Sequence, residues 1–188
     1  MSILPILAYG DPVLKKRALP ISKDHFGLQE LIDNMWETMY KAKGVGLAAP
    51  QVGESLRLFI IDASPYADEA PELENFKKVF INAEILEETG KAWYFNEGCL
   101  SFPDLREDIQ RQPTIKIRYQ DEAFNDYEET YTGLSARIIQ HEYDHTNGVL
   151  MVDRMSPLKK TLIKKKLSNI SKGNVEVDYP MKFPSRKK

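Results

Sequence analysis

The chain has 188 residues, 42% of them hydrophobic and 29% charged, with a formal net charge of −2. These proportions belong to one globular domain, spanning residues 1–188, with a sizeable core; they exclude a disordered or collagen-like chain. A single cysteine excludes an internal disulfide and fits a reducing, cytoplasmic setting, and no apolar run approaches the roughly 20 residues that cross a bilayer.

The opening stretch Ile3–Tyr9 is apolar but short and interrupted by Pro5. With no basic leader or cleavage site, it is expected to be a first strand rather than a secretory signal. From about Asp24 to Lys43, Leu28, Leu31, Ile32, Met35, Trp36 and Met39 recur at helical steps. This is the stripe of a core-facing helix, and Gly44 supplies its stop. After a glycine-rich turn, Leu56–Asp62 reads as a strand, followed by a Pro- and Glu-rich surface loop from Ser64 to Glu74. Val79–Leu86 and Lys91–Phe95 read as two further strands. Thr114–Gln120 alternates apolar and polar residues as a half-buried strand does, with Tyr127–Tyr131 as its hairpin partner.

A second helix starts near Thr132 or Ser135 and ends at Gly148. A last helix covers about Pro157–Ile170, where Ile163, Leu167 and Ile170 form an apolar strip beside Lys159, Lys160 and Lys164–Lys166. Strands with a helix packed among them predict an α+β domain of mostly antiparallel sheets around the second helix. A doubly wound parallel sheet is disfavoured. From Arg154 to Lys188 eleven Lys/Arg face only Glu176 and Asp178. A basic segment on an acidic body is either a solvated surface or a docking surface for a polyanion such as RNA.

The strongest chemical signal is His141-Glu142-Tyr143-Asp144-His145. On a helix the two histidines share a face one turn apart and can bind one ion, with Glu142 beside bound water. Ile138, one turn earlier, turns that face inward; the competing reading is a pair of surface histidines. A catalytic ion needs a third protein ligand and an open position. Zinc peptidases with this motif take that ligand from further down the chain, yet Met151 occupies the position where one class has histidine. Downstream, Asp153, Glu176 and Asp178 are the formal possibilities.

Upstream there are two candidates. His25 lies at the polar start of the first helix, where an exposed or capping role is expected. Cys99 sits in Glu97-Gly98-Cys99-Leu100-Ser101, and its thiolate suits iron or zinc. A lone cysteine is most often a buried hydrophobe, but beside a helix short of one ligand it becomes the stronger candidate. Gly44-Val45-Gly46 suggests a helix stop or a phosphate loop. Pro50-Gln51 lacks the Lys-Ser/Thr pair that a phosphate loop requires.

The chain resembles the peptide deformylases. Gly44–Gln51 is similar to the family's glycine-rich motif, Glu97–Ser101 to its cysteine motif and His141–His145 to its metal helix. Tyr9–Leu14 resembles the family's opening, so the likeness spans about residues 3–155, with 156–188 a basic C-terminal helix and tail. The resemblance implies removal of the formyl group from the N-terminal methionine of new polypeptides. It implies one divalent ion, Fe(II) first, with Zn, Ni or Co also accommodated, held by Cys99, His141 and His145. Water activated by that ion attacks the formyl carbonyl, Glu142 is the general acid/base, and the Gln51 amide and Leu100 backbone N–H stabilise the oxyanion.

The resemblance also places Val45, Gly46, Glu97, Arg106, Leu134 and Ile138 at the substrate, Val45, Leu134 and Ile138 forming the apolar methionine pocket. Arg137 and Thr146 depart from the family's usual apolar residues; altered packing is expected there, not loss of activity. An HExxH metallopeptidase is the alternative. Family members act near the ribosomal exit tunnel, so the basic C-terminal segment is expected to contact ribosomal RNA.

Overall fold

A computed structural model describes residues 2–184; Arg186, Lys187 and Lys188 of the basic tail lie outside the described residues. In chain order the elements are β1 (Ile6–Leu7), α1 (Leu28–Lys41), β2 (Gly46–Ala48), β3 (Leu58–Asp62), β4 (Lys77–Thr89), β5 (Trp93–Cys99) and β6 (Phe102–Arg111). β7 (Thr114–Gln120), β8 (Asp126–Thr132), α2 (Gly133–Thr146), α3 (Pro157–Leu162), α4 (Lys164–Lys172) and β9 (Met181–Lys182) follow. The α+β architecture holds. Five antiparallel strands are ordered β2-β3-β4-β7-β8, β5 and β6 form a separate hairpin, and β1 pairs with β9 in parallel.

The central strands are apolar on both sides, and each side has its own helix. On β3, Leu58 and Ile60 pack with Ile32, Met35 and Met39 of α1. The alternate residues Phe59 and Ile61 join Phe80, Ile115 and Ile117 against Ala136 and Ile139 of α2. The period of two along a strand thus allots successive side chains to two cores. A third core lies under the hairpin, where Phe102, Leu105 and Ile109 meet Leu7, Leu14 and Leu150.

Several boundaries differ from the expectation. α1 starts at Leu28 rather than Asp24, because Gly27 takes a left-handed backbone at φ 77°. The expected single helix over Pro157–Ile170 is two, broken at Ile163 (φ −95°, ψ 3°). β6 was not anticipated at all. The Ser64–Glu74 loop contains two short 3-10 turns, Ser64–Tyr66 and Pro71–Leu73.

Among the described residues, the C-terminal helix and tail expected over 156–188 pack onto the rest of the domain. Ile163, Leu167 and Ile170 are buried in the hairpin core, and β9 completes a sheet with β1. Residues 156–184 thus contribute to the hairpin core and to the β1–β9 pair.

Candidate metal centre

α2 is buried on nearly every side, from Ser135 to Thr146. Its sheet-facing side is apolar, and its other side carries His141, Glu142, Asp144 and His145 towards the β5–β6 hairpin. The two imidazole centroids are 5.2 Å apart. Cys99 ends β5, where the pairing with β6 shifts register after Gly98, and this irregularity places the thiol over the helix. Its Sγ lies 3.3 Å from His145 Nε2.

The donor atoms of Cys99, His141 and His145 lie within 4.8 Å of one another. Two ligands of a tetrahedral ion, bonded at about 2.1 and 2.3 Å, stand about 3.6 Å apart. The spacing and the mixed sulfur–imidazole donors fit a single ion. His25 is far from consideration at the α1 end, in a separate surface groove with Lys23 and Phe124.

Two further atoms support that fit. Glu142 Oε2 and His145 Nδ1 are buried without a hydrogen-bond partner among the described residues. Buried polar atoms are otherwise almost always satisfied. Glu142 is 4% exposed, and burial pushes its pKa up to about 7. The carboxylate has room because residue 46 has no side chain: a Cβ on Gly46 would stand 2.8 Å from Glu142 Cγ.

Glu97 has a different place from the substrate contact expected of it. Its Oε2 meets His141 Nδ1 at 2.9 Å, and its Oε1 accepts from Arg111 Nε at 2.7 Å and Arg137 Nη1 at 2.9 Å. Both oxygens are committed to the protein, so the carboxylate orients His141 rather than a ligand. Holding Nδ1 leaves Nε2 to face the other donors. Burial would raise the Glu97 pKa, but His141 and Arg111 outweigh it and hold the carboxyl well below its usual range. For His141, burial opposes the charged form; contacts with Cys99 and Glu97 prevail and raise its pKa. Burial and the charges of His141 and Arg111 lower that of His145.

The network continues past the anticipated residues. Arg111 donates from Nη1 to Asp144 at 2.8 Å, and Asp144 also accepts from Arg154. Arg137 donates to the carbonyls of Ile109 (2.7 Å) and Trp93 (2.8 Å) and stacks over the Trp93 ring. The departure at Arg137 is thus a tie between α2 and the hairpin. Thr146 turns its hydroxyl back to the Tyr143 carbonyl at 2.7 Å, satisfying itself within the helix.

A cavity of about 370 Å³ opens over these groups. Val45, Gly46, Gln51, Cys99, Leu100 and Ile138 line it, as do Glu97, Arg106, His141 and Glu142. Gln51 is fixed in orientation: its Oε1 accepts from Ala48 N–H at 2.9 Å, so its Nε2 points to Cys99 Sγ (3.6 Å) and Ser101 Oγ (3.2 Å). Arg106 binds Asn96 through its Oδ1 and carbonyl and crosses the hairpin over Gly98, where a Cβ would meet the guanidinium at 2.7 Å. Leu134 does not join the cavity wall; it packs against the helix–sheet core around Phe80 and Ile139.

The sequence reading missed Arg111, Asp144, Arg154 and Tyr179. Arg111 had a signal, since it continues the period-two register of Leu105 and Ile109. Tyr179, which lines the cavity from the C-terminal tail, had none.

Two imidazoles and a carboxylate from one buried helix, met by a thiol from a hairpin, define a site of the mononuclear metallohydrolase class. The profile of the polypeptide deformylase family matches residues 3–161. A peptide deformylase of Christiangramia forsetii is 59% identical, covering 99% of this chain and 98% of that one. One of Flavobacterium psychrophilum is 56% identical over 99% of this chain and 100% of its own.

Among solved structures, the peptide deformylase of Thermotoga maritima superimposes with a TM-score of 0.75 at 44% identity, covering 84% of this chain and 100% of that one. A peptide deformylase from Legionella pneumophila gives 0.79 at 39% identity, with 92% and 98% covered. The chain belongs to the polypeptide deformylase family, metal-dependent hydrolases that remove the N-formyl group from nascent peptides. The metallopeptidase alternative falls with that membership.

Proposed function

We propose that Cys99, His141 and His145 hold one divalent ion, Fe(II) in preference to Zn, Ni or Co, and that Glu142 carries the proton during deformylation of formyl-methionyl peptides. The observation that carries this reading is the convergence of three donor atoms within 4.8 Å beside the buried, unpartnered oxygen of Glu142. When bound, such an ion supplies Lewis-acid polarisation of the formyl carbonyl and a lowered water pKa.

The chain's own groups do the rest. Glu142 accepts the proton of the attacking water and delivers one to the departing amine nitrogen. Gln51 Nε2, already turned into the cavity, and the Leu100 backbone N–H donate to the tetrahedral oxyanion. Val45 and Ile138 offer the apolar wall for an unbranched methionine side chain, Gly46 admits the peptide backbone, and Arg106 faces its continuation. Glu97 sets the ring of His141.

The whole of 1–188 acts as one catalytic domain in the cytoplasm. The exposed lysines Lys164, Lys165 and Lys166 of α4 are the surface proposed for ribosomal RNA, as counterion release favours. No helix among the described residues is long and apolar enough to cross a membrane.

The test pairs elemental analysis of anaerobically purified protein with hydrolysis of a formyl-Met peptide and its unblocked counterpart. One iron per chain and turnover of the formylated peptide alone are expected. Glu142→Ala should keep the ion and lose about 10²–10⁴ in kcat; near-normal turnover in that variant would overturn the role given to Glu142.

A further inference from the structure

After α4 the chain returns across the molecule to the cleft. Met181 and Lys182 pair with Ile6 and Leu7. Ile6 N–H donates to the Pro180 carbonyl and Ala8 N–H to that of Lys182, each at 2.9 Å. Met181 packs against both the α1 core and the hairpin core. So fastened, the strap presents Tyr179 to the cavity wall.

The Tyr179 hydroxyl donates to the Leu100 carbonyl at 2.8 Å, and both residues pack against the α1 core. Next door, Asp178 pairs with Lys43, another cavity residue, at 2.8 Å. Just past β1, Tyr9 secures the following carbonyl, since its N–H donates to Ser101 O at 2.9 Å. Two successive carbonyls of the Cys99–Phe102 turn are therefore held, by residues flanking the two terminal strands. Burial keeps the Tyr179 phenol neutral and hence a donor. The family profile stops at residue 161, so Tyr179 lies beyond the segment that it describes.

We propose that Tyr179 is a positioning residue for deformylation, fixing the Leu100 peptide for the oxyanion and closing the cleft wall with its ring. The inference rests on the assignment of Leu100 N–H as an oxyanion donor. Such a donor works only if it is aimed beforehand and does not reorient as charge develops. The Leu100 N–H plane shares its Cα with the carbonyl that Tyr179 holds, so releasing that carbonyl loosens the donor.

Tyr179→Phe removes the hydroxyl and keeps the ring. On a formyl-Met tripeptide its kcat should fall about three- to tenfold, the worth of one neutral hydrogen bond, while KM stays within about twofold. Amide hydrogen exchange at Leu100 and Ser101 should quicken, with metal content as in the parent and Tm lowered by no more than a few degrees. Tyr179→Ala, which also opens the wall, should raise KM as well. Kinetics of both variants within about twofold of the parent would overturn the proposal, whatever the exchange rates do. Leu100→Pro separates the two levels. If it keeps metal and folds yet retains kcat, the Leu100 assignment fails and the inference with it. If it loses kcat while Tyr179→Phe does not, the strap inference alone fails.

Discussion

Gly46→Ala isolates the geometry of Glu142 from the chemistry of the ion. A Cβ at residue 46 would lie 2.8 Å from both Cγ and Cδ of Glu142, where carbon atoms in contact prefer about 3.5–4.0 Å. Something must therefore give by about 1 Å. Strand β2 is wholly buried, and α2 is packed on the sheet behind it. The yielding part is the Glu142 side chain.

Overpacking of this size costs about 1–3 kcal/mol, or roughly 2–10 °C in Tm for a chain of this length. A displacement of about 1 Å in a catalytic group costs on the order of 10²-fold in rate, about 2.7 kcal/mol of transition-state stabilisation. The three atoms nearest the new methyl all belong to Glu142 rather than to Cys99, His141 or His145. Gly46→Ala should accordingly retain one ion per chain by elemental analysis, melt a few degrees lower, and lose most of its activity in kcat. Steady-state kinetics on a formyl-Met peptide reads this directly. A variant with full metal and kcat within about threefold of the parent would show that the missing side chain at residue 46 does not set Glu142.

Cys99→Ala removes one of three ligands and should abolish stoichiometric metal, read by the same elemental analysis; full occupancy would remove the thiol from the ligand set. Replacing Lys164, Lys165 and Lys166 together by Glu should weaken co-sedimentation with ribosomes and lower its salt dependence, while turnover of small peptides persists because these side chains are exposed and do not line the cavity. Unchanged association would refute the proposed surface.

Glu129 gives a pH prediction away from the metal. Burial raises its pKa, but hydroxyl bonds from Tyr119 and Tyr131 and the charge of Lys78 outweigh that and lower it from 4.5. A depressed folded pKa stabilises above the unfolded value and is lost as pH falls through the folded one. Urea midpoints should thus drop below about pH 4.5 less steeply in Glu129→Gln than in the parent; parallel profiles would refute the assignment.

Where one physical pattern dominates a segment, the sequence was sufficient. Thr114–Gln120 has one buried face and one exposed, and its strand bounds matched residue for residue. The i, i+4 histidines lay on a buried helix because Ala136 and Ile139 commit the opposite side to the sheet. β6 escaped notice because Asp104, Arg106, Glu107 and Asp108 make it read as a surface loop, although Leu105 and Ile109 face a core. The tail left a solvated surface open because its eleven Lys/Arg meet only Glu176 and Asp178. Yet Ile163, Leu167, Ile170 and Met181 suffice to bind it to the hairpin core. Which carbonyl Tyr179 would meet depends on β1 and β9 pairing across the chain's length, and no local pattern encodes that.

The buried charges around Glu97 explain why the site needs so much polar structure behind three ligands. Arg111 and Arg137 are 3% and 2% exposed, and Glu97 is 5% exposed. Ion pairs at that depth are poor stabilisers, since desolvation consumes much of their attraction and apolar replacements are often as stable. Their return is orientation. One carboxylate receives His141 from α2, Arg111 from β6 and Arg137 from α2, while Arg137 also grips the backbone of β5 and β6. Cys99 and His141 come from segments 42 residues apart, as their numbering shows, and only such cross-ties hold hairpin and helix to the tolerance that an ion demands. Arg137, the departure from the family's usual apolar residue, is one of them.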